Sequence, residues 1–190
     1  MDLLSDYHHI FESLTASECT AYHITCVMHN TRTSKRMSDN GIKKGVGEYL
    51  TIPEEEYLLK IICKHIAQNQ LKILAINLCA DHLHFALVCD TTQLEQIVGK
   101  LKSMVAREFN IWRGATQTRG HAPLRDGHAP LRGTTQHSLW AQKFNRVKIT
   151  SAQQLYNVIN YVSNNRIKHR LQPLSSEMEN ILQQTIFKVE

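Results

Sequence analysis

The hydrophobic pattern changes period several times along this chain. Residues 20–28 (TAYHITCVM) are rich in β-branched and aromatic types and predict a strand. Residues 29–50 are polar and basic, with Gly41, Gly45 and Gly47, and predict a long loop or hairpin excursion. Thr51 then opens a helix, with Pro53 in its first turn and Glu54, Glu55 and Glu56 near the positive end of its dipole. Leu58, Ile61, Ile62 and Ile66 form its apolar stripe. Two strands follow, about 71–78 and 82–89, with Asp81 at the turn between them.

Thr92 with Glu95 has the spacing of a capping box. The helix it introduces carries Leu94, Ile97, Val98, Leu101 and Val105 and is predicted to end near Phe109. Residues 143–149 (KFNRVKI) predict another strand. Thr150 with Gln153 suggests a second capping box, for a helix from 151 to about 166 with Leu155, Val158, Ile159 and Val162 on one face. Pro173 stops its continuation, and 175–188 predicts a shorter helix. The order is strand, helix, strand, strand, helix, strand, then further helices. That is the α+β, ferredoxin-like split β-α-β pattern: an antiparallel sheet with helices on one face, a later helix and a helical tail. We expect one domain over 1–170 and a tail over 171–190.

One segment fits no element. Gly-His-Ala-Pro-Leu-Arg occurs at 120–125 and again at 127–132, a direct repeat of period seven. Each copy holds Gly and Pro, which break helices, so 110–138 reads as a flexible surface insertion rather than a coiled coil.

Composition narrows the class without naming it. The chain has 190 residues, 42% of them hydrophobic and 21% charged, as a globular protein has. No apolar run reaches the roughly 18–20 residues of a membrane span. The acidic start MDLLSDYHHIF does not resemble a secretory signal. Five cysteines, with no CxxC spacing, read as buried thiols in a reducing cytoplasm. The net charge of +5 permits a nucleic-acid partner, but +3 of it falls within 110–138.

Four groups of residues carry candidate chemistry. In Asp81-His82-Leu83-His84, strand alternation puts both imidazoles on one face and Leu83, Phe85 and Leu87 on the other. Two imidazoles on one strand can share a metal ion, or can be a chance pair. In the later helix, Tyr161 and Asn165 are four residues apart and share a face, whereas Tyr156 falls about 140° from Tyr161. Asn165 could supply an oxygen ligand and Tyr161 a nucleophile, or Tyr161 could be a boundary residue with a wet hydroxyl. Trp140 and Arg146 stand in a segment where aromatic and basic residues interleave, suited to unpaired bases or to a core Trp beside a solvated edge. Lys100, Lys102 and Arg107 make one helix face positive, which could track a DNA backbone or simply be solvated.

Taken in order, these segments resemble the HUH single-tyrosine DNA transposases, the IS200-like group that includes REP-associated tyrosine transposases. Ala21-Tyr22-His23-Ile24-Thr25 looks like the opening strand, Asp81-His82-Leu83-His84 like the His-hydrophobic-His motif, Leu139-Trp140-Ala-Gln-Lys-Phe like the tryptophan motif, and Tyr161-Val-Ser-Asn-Asn165 like the nucleophile helix. The resemblance covers roughly 20–170 apart from the insertion. It implies that Tyr161 is the nucleophile, that His82, His84 and Asn165 hold Mg2+ or Mn2+, and that the substrate is single-stranded or hairpin DNA. It also implies a 5′-phosphotyrosine intermediate, a monomer or homodimer, and no membrane. Two departures stand out: Ala80-Asp81 before the first histidine, where Pro-Asn or Pro-Glu is commoner, and Asn165-Arg166 where many relatives have Asn-Pro.

Two other function classes compete. A domesticated or inactive relative would bind hairpin DNA without cutting it, indifferent to His82→Ala and Tyr161→Phe. An unrelated ferredoxin-like RNA-binding domain would prefer RNA, but strand 82–89 lacks the aromatic signature of such sheets.

Overall fold

A computed structural model describes residues 3–17, 19–33, 35–117 and 138–187. The repeat at 119–133 lies outside the described residues. The strands are β1 (Thr20–Val27), β2 (Lys72–Cys79), β3 (His82–Cys89) and β4 (Asn145–Lys148). The helices are α1 (Leu3–Ala16), α2 (Lys35–Asp39), α3 (Ile52–Gln68), α4 (Leu94–Gln117), α5 (Ala152–Ser163), α6 (Asn165–Lys168) and α7 (Ser176–Thr185). The strands form one antiparallel sheet in the order β2-β3-β1-β4, the ferredoxin-like arrangement that the sequence predicts.

Strand alternation divides the interior into two cores. Tyr22, Ile24, Cys26, Leu83, Phe85 and Leu87 pack against α3, α4 and Met178 of α7. Ala21, Leu74, Ala75, Ala86 and Val88 pack on the opposite face against Leu14 of α1 and Leu155 and Val162 of α5. The two helices of the ferredoxin-like core, α3 and α4, share one face as the sequence predicts, and the later helix α5 covers the other. The sequence reading made no prediction for α1, although Tyr7, Ile10, Phe11 and Leu14 have helical spacing and all join the second core.

Helix ends depart from the reading by local capping chemistry. Asp90, not Thr92, caps the turn before α4, accepting from the Thr92 amide at 2.7 Å. Ser151, not Thr150, caps α5, and Gln154 reaches back to the Thr150 amide at 2.8 Å. Helix α4 runs two turns past Phe109, so 110–117 is helix rather than insertion. Trp112 stacks on Tyr57 of α3 at 4.2 Å, and Arg113 pairs with Glu48 and Glu54. These contacts with α3 and the chain before it stabilise the extension. None of the five cysteines is paired, and four are buried. Among the described residues, no helix is long and apolar enough to cross a membrane.

Candidate active site

The site begins with the side-chain parity of β1, β2 and β3. His82 and His84 point to the α1/α5 side of β3, and Thr25 of β1 stands directly opposite His84. On β2, Asn77 stands opposite His84 and Cys79 opposite His82. This second pairing depends on one extra residue. Ile73 pairs with Leu87, but Ala75 pairs with Ala86, so Leu74 and Ala75 both face the second core. Such a bulge reverses the parity of everything after it. Without it, Asn77 and Cys79 would face the other core.

His82 is 1% exposed, and its Nδ1 lies 2.5 Å from Asp81 Oδ1. Asp81 is also 3.5 Å from Arg32 Nη2. The hydrogen bond from His82, with the nearby Arg32 guanidinium, holds the Asp81 carboxyl below its ordinary value against the effect of burial. A carboxylate at Nδ1 fixes the proton there and leaves the lone pair on Nε2. That nitrogen accepts from Asn165 Nδ2 at 3.0 Å. Asn165 is fully buried, its Nδ2 also lies 3.6 Å from Cys79 Sγ, and its Oδ1 has no hydrogen-bond partner among the described residues.

His84 Nδ1 lies 3.0 Å from Thr25 Oγ1 and 3.1 Å from His23 Nε2. Burial, reinforced by His82 and His23, pushes the His84 pKa down to about 3, so its imidazole is neutral at ordinary pH. Neutral imidazole is the form that binds metal ions. Burial pushes the Cys79 thiol up to about 12, which makes it a neutral neighbour rather than a thiolate ligand.

Tyr161 completes the group from α5. It is 37% exposed, and its ring meets His84 edge-on at 5.3 Å and His23 at 5.7 Å. Lys168 Nζ lies 4.8 Å from its ring centre. Tyr156 is turned away onto Tyr7 of α1, at 5.2 Å. The helix predicted over 151 to about 166 breaks at Asn164, so Tyr161 and Asn165 lie on successive helices rather than on one helix face. Tyr161 stays at the surface beside His84, and Asn165 turns inward to His82. Asn77 Nδ2 donates to the Ser163 carbonyl at 3.2 Å, and Arg166 donates to the Leu78 carbonyl at 2.8 Å, anchoring both sides of the break on β2.

The residues singled out for DNA contact sit elsewhere. Trp140 is 6% exposed and belongs to the first core, so it offers no ring face for a base. Lys102 donates to the Ala141 and Gln142 carbonyls at 2.9 and 3.1 Å, binding the tryptophan segment to α4. Lys100 donates to Asn69 at 3.1 Å, and Arg146 pairs with Glu95. Arg107 lines a groove of about 670 Å3 between α4 and residues 138–144. Conversely, two histidines that were not candidates from the sequence join the group, His23 and His169. His23 touches His84 and Tyr161, and the His169 ring lies 5.1 Å from His82. For His23 a signal existed, since it shares strand parity with Thr25.

Fold and site thus define a ferredoxin-like α+β protein with a two-histidine strand facing a tyrosine and a buried asparagine. A sequence profile described as "Transposase IS200 like" matches residues 20–165, and the chain belongs to that family. Its general activity is that of a transposase, a DNA-cleaving enzyme. Two solved structures are similar. One is a REP-associated tyrosine transposase bound to a REP hairpin, at 12% identity and TM-score 0.45, covering 90% of this chain and 86% of that one. The other is a protein assigned as a transposase of Deinococcus radiodurans R1, at 14% identity and TM-score 0.40, covering 82% and 93%. No curated protein matches.

Proposed function

We propose that this protein cleaves and rejoins single-stranded DNA at hairpin-flanked, REP-like sites through Tyr161. The Tyr161 hydroxyl oxygen attacks the scissile phosphorus, and the bond from phosphorus to the 3′ oxygen breaks. The 5′ phosphate is then joined to the tyrosine, and the departing strand keeps a 3′ hydroxyl once its oxygen takes up a proton. The phenolic proton passes to water at the exposed edge of the ring. Attack by a 3′ hydroxyl on the phosphotyrosine reverses the step without ATP, because the bond energy is retained.

His82, His84 and Asn165 would hold a divalent ion, Mg2+ or Mn2+. The donor set fits: two imidazole nitrogens on one strand, that of His84 neutral, and a buried amide oxygen with no hydrogen-bond partner among the described residues. When bound, the ion supplies positive charge against the phosphate. The chain supplies the rest. Asp81 fixes the His82 tautomer, Thr25 and His23 orient His84, and Lys168 places a cation beside the nucleophile.

The observation that carries this reading is the convergence of two helix-borne groups on one strand. Tyr161 meets His84 while Asn165 meets His82. Incubation with labelled single-stranded hairpin DNA and Mn2+ is expected to give a covalent adduct, absent in Tyr161→Phe and reduced at least about a hundredfold in His82→Ala. Absence of adduct with every hairpin tried, or an adduct that survives Tyr161→Phe, overturns the reading.

A further inference from the structure

Of the cations first considered for DNA, Lys100 and Lys102 of α4 and Arg146 of β4 are engaged within the protein. A separate concentration of exposed basic charge lies in the excursion between β1 and α3. This excursion is rooted at the candidate active site. The Met28 amide donates to the Asp81 carbonyl at 2.8 Å, and the Leu50 amide to the Ala80 carbonyl at 2.9 Å. Both acceptors immediately precede His82, and Arg32 adds its contact with Asp81.

Its two arms lie against each other. The Glu48 amide donates to the His29 carbonyl at 2.9 Å, and Lys44 Nζ to the Thr31 carbonyl at 3.2 Å. Glycine makes this approach possible. A Cβ on Gly45 would come 2.8 Å from Asn30 Nδ2, and one on Gly47 3.2 Å from the Asn30 carbonyl and 2.9 Å from the Tyr49 ring. Tyr49 therefore rests over Gly47 with 57% of its surface open, and the same excursion exposes Ile42 (52%) and Val46 (95%).

Residues 29–50 hold five cations, Arg32, Lys35, Arg36, Lys43 and Lys44, against Asp39 and Glu48. Glu48 already pairs with Arg113. Lys35, Arg36 and Lys43 are exposed, and no ion pair engages them among the described residues. Cations interleaved with open aromatic and aliphatic faces suit a strand of unpaired nucleotides: phosphates meet the cations and bases lie on the apolar faces. An acidic peptide would use the charge but would give no reason for the open Tyr49.

We infer that residues 29–33 and 35–49 form the surface that receives the single-stranded DNA flanking the scissile phosphate. The inference rests on the proposed cleavage reading for its choice of site and is testable apart from it. The protein used is the full chain carrying Tyr161→Phe, so that binding is measured without cleavage. The probes are a DNA hairpin with a single-stranded extension and the same hairpin without one, titrated between about 50 and 200 mM salt. Replacing Lys35, Arg36 and Lys43 together by alanine removes no packed side chain, and an unchanged melting temperature confirms the fold.

Affinity for the extended hairpin is expected to fall about tenfold or more, with the salt slope reduced by about 2, since each single-strand phosphate contact contributes about 0.7. Tyr49→Ala is expected to lose about tenfold on the same DNA and nothing on the unextended hairpin. An unchanged salt slope, an equal loss on both DNAs, or preference for an acidic peptide over the extension overturns the inference. If the wild-type chain forms no adduct but extension-dependent binding persists and is lost in the triple variant, the cleavage reading fails and this inference stands.

Discussion

Arg166 shows how one residue can fix another. Its guanidinium is 9% exposed and meets Glu55, 4% exposed, at 2.5 Å. It also donates to the carbonyls of Leu78 and Gln172. These bonds join α3, the end of β2 and the segment after α6, and Asn165 is the preceding residue. The sequence reading noted Arg166 only as a departure from Asn-Pro. Its role required the long-range partner Glu55, 111 positions away. Removing one member of a buried ion pair leaves the other charge uncompensated. Arg166→Ala is therefore expected to cost about 3–5 kcal/mol in urea unfolding, whereas Arg166→Met combined with Glu55→Leu should cost clearly less.

At the scale of elements, the N-terminus of α3 is a compact test of capping. Glu54 accepts from the Thr51 amide at 2.8 Å and from its hydroxyl at 2.9 Å. Burial alone would raise the Glu54 carboxyl, but these bonds and neighbouring Arg113 hold it below its ordinary 4.5. A carboxyl lowered in the fold stabilises it above the unfolded pKa, and that contribution disappears as pH falls through the folded value. Glu54→Gln should therefore destabilise the protein more at pH 7 than near pH 3, as measured by urea midpoints at each pH. Thr51→Ala should cost about 1 kcal/mol at neutral pH. The sequence made this helix start legible because Thr, Pro and Glu act within one turn. It misplaced the cap before α4 by two residues and that of α5 by one, because Asp90 and Ser151 were equally competent neighbours.

Across the whole molecule, the second core carries the site. Leu155 and Val162 of α5 are fully buried against the sheet and hold the helix that bears Tyr161. Leu155→Ala should cost about 2–5 kcal/mol in denaturant unfolding, the usual range for a large-to-small change in a packed interior. α1 closes this core from the other side through Leu14 and the Tyr7 contact with Tyr156.

The sequence by itself determined what depends on near neighbours. Hydrophobic period set the order and type of the main elements, strand alternation paired His82 with His84, and helical spacing separated Tyr161 from Tyr156. Tertiary structure decided what depends on distant ones. The bulge at Leu74 aimed Asn77 and Cys79, and the break at Asn164 turned Asn165 inward. Packing closed over Trp140, and Asn69, Glu95 and backbone carbonyls engaged Lys100, Arg146 and Lys102. The physical reason is that periodicity is a property of a few consecutive residues. Burial and pairing are settled only when segments far apart in the chain compete for the same surface and the same hydrogen bonds.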